Sequence, residues 1–358
     1  MRALAEARGT LAERQRAAFL AAGADAAEIV SGPPDGLSFG ERLADAVRAR
    51  GMEAGMAGGS GGLVVLGSGS IPLAGATDLR RFVELAAGPG GHALANNRYS
   101  ADVVAVSRAA DLAELPPLPA DNALPRWLGE RAGVAVTDLR SRWRLGVDID
   151  TPLDLIVLRD PAASQIYATA PLIGERLAAL AGVLSNRRAE LLVAGRVSAT
   201  TLSWLQRGVA CRVRALVEER GLRAASRLAQ SGTTASGRPP RSIIGELLDR
   251  DGPDSLAATV ARLADAAVID TRVLLAHRAG ATDGATMGAT AEATPWPAAE
   301  DRFASDLLLP ASVTDPWLRA LTASAASAPA DHPILLGGHT LVNGGLRLLA
   351  QRARAGAR

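Results

Sequence analysis

Three short apolar runs in the second half of the chain end in polar residues. They are Leu191-Leu192-Val193-Ala194-Gly195-Arg196-Val197-Ser198, Ala267-Val268-Ile269-Asp270-Thr271-Arg272 and Ile334-Leu335-Leu336-Gly337-Gly338-His339-Thr340. Each reads as a strand followed by a turn, and in open α/β sheets ligands bind beyond the carboxyl ends of the strands. Arg196, Asp270, Arg272 and His339 would then converge on an anion. Gly337 and Gly338, ahead of a helix from Leu341, would let backbone amides approach the same ligand. The structural alternative pairs Arg196 or Arg272 with Asp270 or Glu219 and leaves His339 as an ordinary loop residue.

Other polar residues have both a capping and a chemical reading. Asp150-Thr151-Pro152 with Asp154 has the form of a helix start: Thr as N-cap, Pro at the first helical position, and an acid three residues after the Thr. Asn96 and Asn97 suit a turn, since Asn tolerates left-handed backbone angles. Asp121 and Asn122 are N-cap candidates, Arg98 reads as a loop charge, and Asp306 and Asp315 with Trp317 read as helix-start and packing residues.

Much chemistry is excluded. All 39 cationic side chains are Arg, which removes a P-loop lysine and a Schiff base. One Cys and four scattered His residues, His92, His277, His332 and His339, make no zinc pattern, and there is no Gly-x-Ser-x-Gly elbow. Cys211 reads as a core residue. The arginines 207, 212, 214, 220, 223 and 227, interleaved with Leu216, Val217 and Leu222, read as the solvated face of an amphipathic segment.

The positioning elements follow from periodicity. Leu11 to Ala22 and Phe39 to Arg50 are amphipathic helices, the second ahead of a Gly-rich turn at Gly58 to Gly62. Leu63 to Leu66 is a strand, followed by the turn Gly67-Ser68-Gly69-Ser70-Ile71-Pro72 and a helix capped by Thr77 and running through Ala87. Val103 to Val106 is a second strand, Asn122 to Arg131 a helix and Leu145 to Ile149 a third strand, on which Asp148 and Asp150 would share a face. A helix from Pro171 to Leu184 opens the second half. Gln230 to Ser242 and Gly280 to Thr294 are of low complexity and read as loops.

With 358 residues, 48% of them hydrophobic, the chain suits two α/β domains, 1–160 and 161–358, with the boundary near Pro161. The first is expected to hold a mixed, mostly parallel sheet flanked by helices, and the second to be α/β or mainly helical. A net charge of +2 with acids spread along the whole length, and few aromatic residues, argues against nucleic acid as a partner. The single Cys and the lack of a long apolar run lead to an expected cytoplasmic address without membrane insertion.

Three motifs carry a resemblance: Gly69-Ser70-Ile71-Pro72-Leu73, Asn96-Asn97-Arg98-Tyr99-Ser100, and Val147-Asp148-Ile149-Asp150-Thr151-Pro152-Leu153-Asp154-Leu155. In this order they resemble the molybdenum-cofactor and 2-phospholactate guanylyltransferases, nucleotidyltransferases of the nucleotide-diphospho-sugar transferase fold, over the chain up to Arg159. The resemblance implies transfer of a nucleotidyl group from a nucleoside triphosphate to a small phosphorylated acceptor. It also implies Mg²⁺ held by Asp150, with Asp148 assisting, and Ser70, Asn96, Asn97, Arg98 and Asn122 near nucleotide or acceptor. The oligomeric state is left open.

Two departures qualify that expectation. Ser70 stands where the family has its first metal-binding Asp. The family's opening strand and Gly-rich phosphate loop have no counterpart, which leaves two readings: an N-terminally truncated chain, or loss of triphosphate binding. An inactive nucleotide-binding or scaffold protein is therefore an alternative, as is an anion-binding or transferase function residing in the C-terminal domain.

Overall fold

The computed structural model describes residues 2–32, 36–52, 61–118, 121–218, 241–279 and 296–356. Among the expectations above, Glu219, Arg220, Leu222, Arg223, Arg227, most of the stretch 230–242, all of 280–294 and part of the 58–62 turn lie outside those residues. The chain divides into two units, Arg8–Asp148 and Ile149–Arg358 with Met1–Ala7. Both are α/β.

The N-terminal unit follows the period-2 logic of buried strands. β1 (Leu63–Leu66), β2 (His92–Ala95), β3 (Val103–Val106) and β4 (Ala135–Asp138) form a sheet in the order β1-β3-β2-β4. Val104, Val106, Ala93 and Ala95 pack with Leu43 and Val47 of α2 (Phe39–Ala49) and Leu124 and Leu128 of α4 (Leu124–Glu130). The alternate residues Val103, Ala105 and Leu94 pack with Phe19 of α1 (Arg2–Ala21) and with Leu79 and Phe82 of α3 (Ala76–Ala86). Helices thus cover both faces.

Three expectations are corrected here. The sheet is mixed, but β3 pairs antiparallel with β1 and β2, and only β2–β4 is parallel. The short connection from Ala95 to Val103 is too brief for the crossover that parallel pairing needs. Leu145 to Ile149 is not a strand: Trp143–Gly146 closes a 3₁₀ turn, and Asp148 alone bridges to Ser70. The apolar residues Leu145, Val147 and Ile149, spaced two apart and all buried, gave this segment its strand-like pattern. Finally, α3 is preceded by Gly75 rather than capped by Thr77, with the Asp78 carboxylate accepting from the Gly75 N–H at 3.1 Å.

In the C-terminal unit, β5 (Glu190–Gly195), β6 (Arg212–Val217), β7 (Ala266–Asp270) and β8 (Ile334–Gly337) form a sheet in the order β6-β5-β7-β8, parallel at every pairing. The three apolar runs are thus neighbouring strands. Their carboxyl ends lie together because the register sets Asp270 against Gly337 and Ala194 against Ile269. The chain leaves β5 toward β6 on one side and returns to β7 on the other, so the winding reverses between β5 and β7. Crevices of open sheets form at such a reversal.

Helices of this unit are α5 (Pro152–Leu158), α6 (Ala163–Thr169), α7 (Pro171–Ser185), α8 (Ala199–Gly208), α9 (Ile243–Asp251), α10 (Leu256–Ala261), α11 (Thr271–Arg278), α12 (Ala299–Asp306), α13 (Pro316–Ser327) and α14 (Leu346–Gly356). The helix expected from Leu341 opens as a π turn over Leu341–Gly345 before α14. α5 packs on α12 and α14, which is why the division falls before it rather than at Pro161. Of the arginine series, Arg207 ends α8, whereas Arg212 and Arg214 lie on the edge strand β6. No helix among the described residues is long and apolar enough to cross a membrane.

Candidate functional site

In the N-terminal unit the turn after β1 meets the end of the unit. Ser70 and Asp148 form an isolated antiparallel bridge, and both are buried. The Gln15 side-chain amide donates to the Ser70 carbonyl and fixes the turn from α1. Ile71 follows with φ of 44°, a left-handed angle that a β-branched residue seldom adopts. A side chain at Gly67 would come within 2.9 Å of the Ser70 hydroxyl and 3.6 Å of Asp121 Oδ2, so hydroxyl and carboxylate face the same backbone. Burial pushes the Asp121 carboxyl above its ordinary range, and the charge of Asp148 adds to that, against the hydrogen bond from the Asn122 N–H. Two carboxylates and a hydroxyl are therefore gathered at this turn.

The remaining candidates of this unit have local tasks. Asn96 is buried: its amide donates to Asp102 Oδ2 at 2.8 Å and the Leu145 carbonyl at 2.7 Å, and its Oδ1 accepts from the Asp102 N–H at 3.0 Å. It locks the β2–β3 connection. The Asn97 side-chain Oδ1 accepts from the Tyr99 N–H at 3.0 Å, as in an Asx turn. The guanidinium groups of Arg98 and Arg140 lie 5.6 and 5.5 Å from the Tyr99 ring centroid. Asn122 is exposed in a 3₁₀ turn ahead of α4.

In the C-terminal unit, Asp154 performs the capping role read from sequence. Its Oδ2 accepts from the Thr151 N–H at 2.8 Å, the Thr151 hydroxyl at 3.0 Å and the Asp150 N–H at 3.0 Å. Asp150 is exposed and Asp148 is buried. Asp150 and His339 bring possible ligand atoms within 4.8 Å of each other.

Arg196, Asp270, Arg272 and His339 do come together at the strand ends. Arg196 Nε donates to Asp270 Oδ2 at 2.6 Å and its Nη2 to Oδ1 at 3.0 Å. The Arg272 N–H also donates to Asp270, at 3.2 Å, while the Arg272 guanidinium turns to Asp306, with Nη2 to Oδ2 at 2.7 Å. Asp270 and Asp306 are fully buried. Burial alone would raise the Asp270 carboxyl, but Arg196, Arg272 and His339 hold it below its ordinary range. At Asp306 burial prevails over the pull of Arg272, and the carboxyl is pushed up. Both guanidinium planes thus face carboxylates, so the ion-pair reading accounts for the arginines.

Several partners escaped the sequence reading. Asp306 ends α12 rather than starting a helix, and its carboxylate pairs with Arg272. Asp315 does cap α13, accepting from the Leu318 N–H at 2.8 Å. Thr200, Ser203, Trp204 and Arg207 share one face of α8, and with Arg347 and Arg354 of α14 they line a cavity of about 670 Å³. The i, i+7 spacing of Arg347 and Arg354 was a visible signal that both lie on one helix face. Cys211 is buried, as expected.

Comparison with known proteins gives no family identification: no family model matches the chain, and neither a curated protein nor a solved structure does.

Proposed function

We propose that this chain is a nucleotidyltransferase-like protein that binds a nucleoside triphosphate with Mg²⁺ and transfers its nucleotidyl group to a small phosphorylated acceptor. The observation that carries this reading is the Ser70–Asp148 bridge, which joins the first and last motifs of the resemblance within one unit. The residues suit a hard divalent cation: Asp148 and Asp121 are carboxylates close enough for one to raise the other, and Ser70 adds a hydroxyl oxygen. Bound Mg²⁺ would offset the charge on the phosphate oxygens and orient them. The chain's own part is positional. Asn96 stiffens the loop before β3, and Gln15 on the Ser70 carbonyl, with the left-handed Ile71 that follows, holds the turn that carries Ser70.

Thermal unfolding of the full chain with each of the four nucleoside triphosphates, with and without Mg²⁺, tests this reading. The expected result is a Mg²⁺-dependent rise in midpoint with at least one nucleotide, lost in Asp148→Asn and reduced in Asp121→Asn. An absence of any such rise, or a rise indifferent to both substitutions, favours a fold kept without this activity.

A second reading has its own observation. The winding reversal between β5 and β7 sets the carboxyl ends of those strands, with Arg196 and Asp270, where open α/β sheets take small molecules. A function of the C-terminal unit would then use the polar ends of β7 and β8, including His339 beside Asp150.

A further inference from the structure

The groove between α8 and α14 differs in charge from the strand ends of its unit. At the strand ends and along α11, the arginines face acids: Arg196 with Asp270, Arg272 with Asp306, Arg278 with Asp315. The wall of the cavity brings together Arg207, Arg347 and Arg354 and contains no Asp or Glu. Uncharged oxygens orient these three groups. Arg347 Nη2 donates to the Thr200 carbonyl at 2.6 Å, Arg354 donates to the Gly208 carbonyl, and Arg207 Nη2 donates to the Ser203 hydroxyl at 2.6 Å.

The groove is open to solvent and offers room for more than a lone ion. The Arg347 guanidinium lies 5.2 Å from the Trp204 ring centroid, which fixes both an indole and a cation at the wall. Arg347 is mostly buried, so its charge acts through less solvent than those of the exposed Arg207 and Arg354. The open groove holds a volume of about 670 Å³, room for a small molecule lying along the surface. Guanidinium groups recognise phosphate oxygens through paired, charge-assisted hydrogen bonds, and the hydroxyls of Thr200 and Ser203 stand on the same helix face.

We propose that this cavity is a binding site for a phosphorylated small molecule of nucleotide size, whose phosphates meet Arg207, Arg347 and Arg354 and whose planar part lies against Trp204. The lining residues named are all of the C-terminal unit, and the proposal does not depend on the nucleotidyl-transfer reading.

Calorimetric titration of the full chain with ATP, and separately with inorganic phosphate, both in EDTA, tests it. The chelator removes divalent cations, so success or failure here is independent of the Mg²⁺-dependent test above. ATP is expected to bind more tightly than phosphate and to change the tryptophan fluorescence, a change that Trp204→Phe diminishes. Arg207→Gln combined with Arg354→Gln alters two exposed side chains and is expected to lower ATP affinity at least about tenfold while circular dichroism stays unchanged. No heat with ATP, equal affinities for ATP and phosphate, or undiminished affinity in the double variant would overturn the proposal.

Discussion

Arg196 and Asp270 stand 74 residues apart in sequence and meet in a two-point ion pair at the reversal of the C-terminal sheet. Asp270 is fully enclosed while Arg196 keeps a quarter of its side chain in solvent, so the pair is anchored from the acid's side. A buried carboxylate needs such a partner, because the loss of hydration is not recovered otherwise.

Breaking the pair from one side should therefore be costly. Asp270→Asn is expected to lower unfolding free energy by about 3–5 kcal/mol, since it leaves Arg196 without its charged acceptor. Arg196→Gln should lower it as well, and urea denaturation of both single variants and the double should show the double costing less than the sum.

The same acid sets a pH dependence. The folded-state pKa of Asp270 is depressed, so its contribution is fully present above the unfolded value of about 3.9 and is lost as pH falls through the folded value. Stability measured from pH 7 down to pH 3 should decline in the acid part of that range. A shallower decline is expected in Asp270→Asn, and equal slopes in the two proteins would contradict this role.

Gly195 makes that geometry possible. Its φ is +121°, and an added Cβ would stand 2.3 Å from the Asp270 Cβ. Gly195→Ala combines a disfavoured backbone angle with a clash in a closed site, and a loss of about 2–4 kcal/mol is expected. Chemical denaturation gives the value, and a loss below 1 kcal/mol, roughly the cost of an ordinary Gly change, would refute the argument.

Cys211 should be chemically quiet. Burial pushes its thiol up to about 11, so little thiolate exists near neutral pH. Alkylation by iodoacetamide at pH 8 is expected to be slow in the native protein and to accelerate sharply in denaturant. Rapid native labelling would place the thiol in a more open setting.

The sequence by itself determined which segments become several of the strands. Leu63 to Leu66, Val103 to Val106 and the apolar runs before Arg196, Asp270 and His339 all form strands, because short continuous apolar runs bounded by turns favour extended backbone that can be covered by helices. The helix start at Thr151-Pro152 was legible for a local reason: the Asp154 carboxylate reaches back only three residues to the Thr151 N–H. Short strands without a strong apolar signal, His92–Ala95 and Ala135–Asp138, were not legible, and neither was the packing that joins α5 to the C-terminal unit.

Tertiary structure alone decided the partners. Asp306 answers Arg272 from 34 residues away, Asp121 approaches Asp148 across a turn, and Arg207 meets Arg347 and Arg354 around one cavity. Local patterns encode which face of an element is apolar. The order β6-β5-β7-β8, and with it which strand ends and which charges become neighbours, arises only when those faces pack against one another.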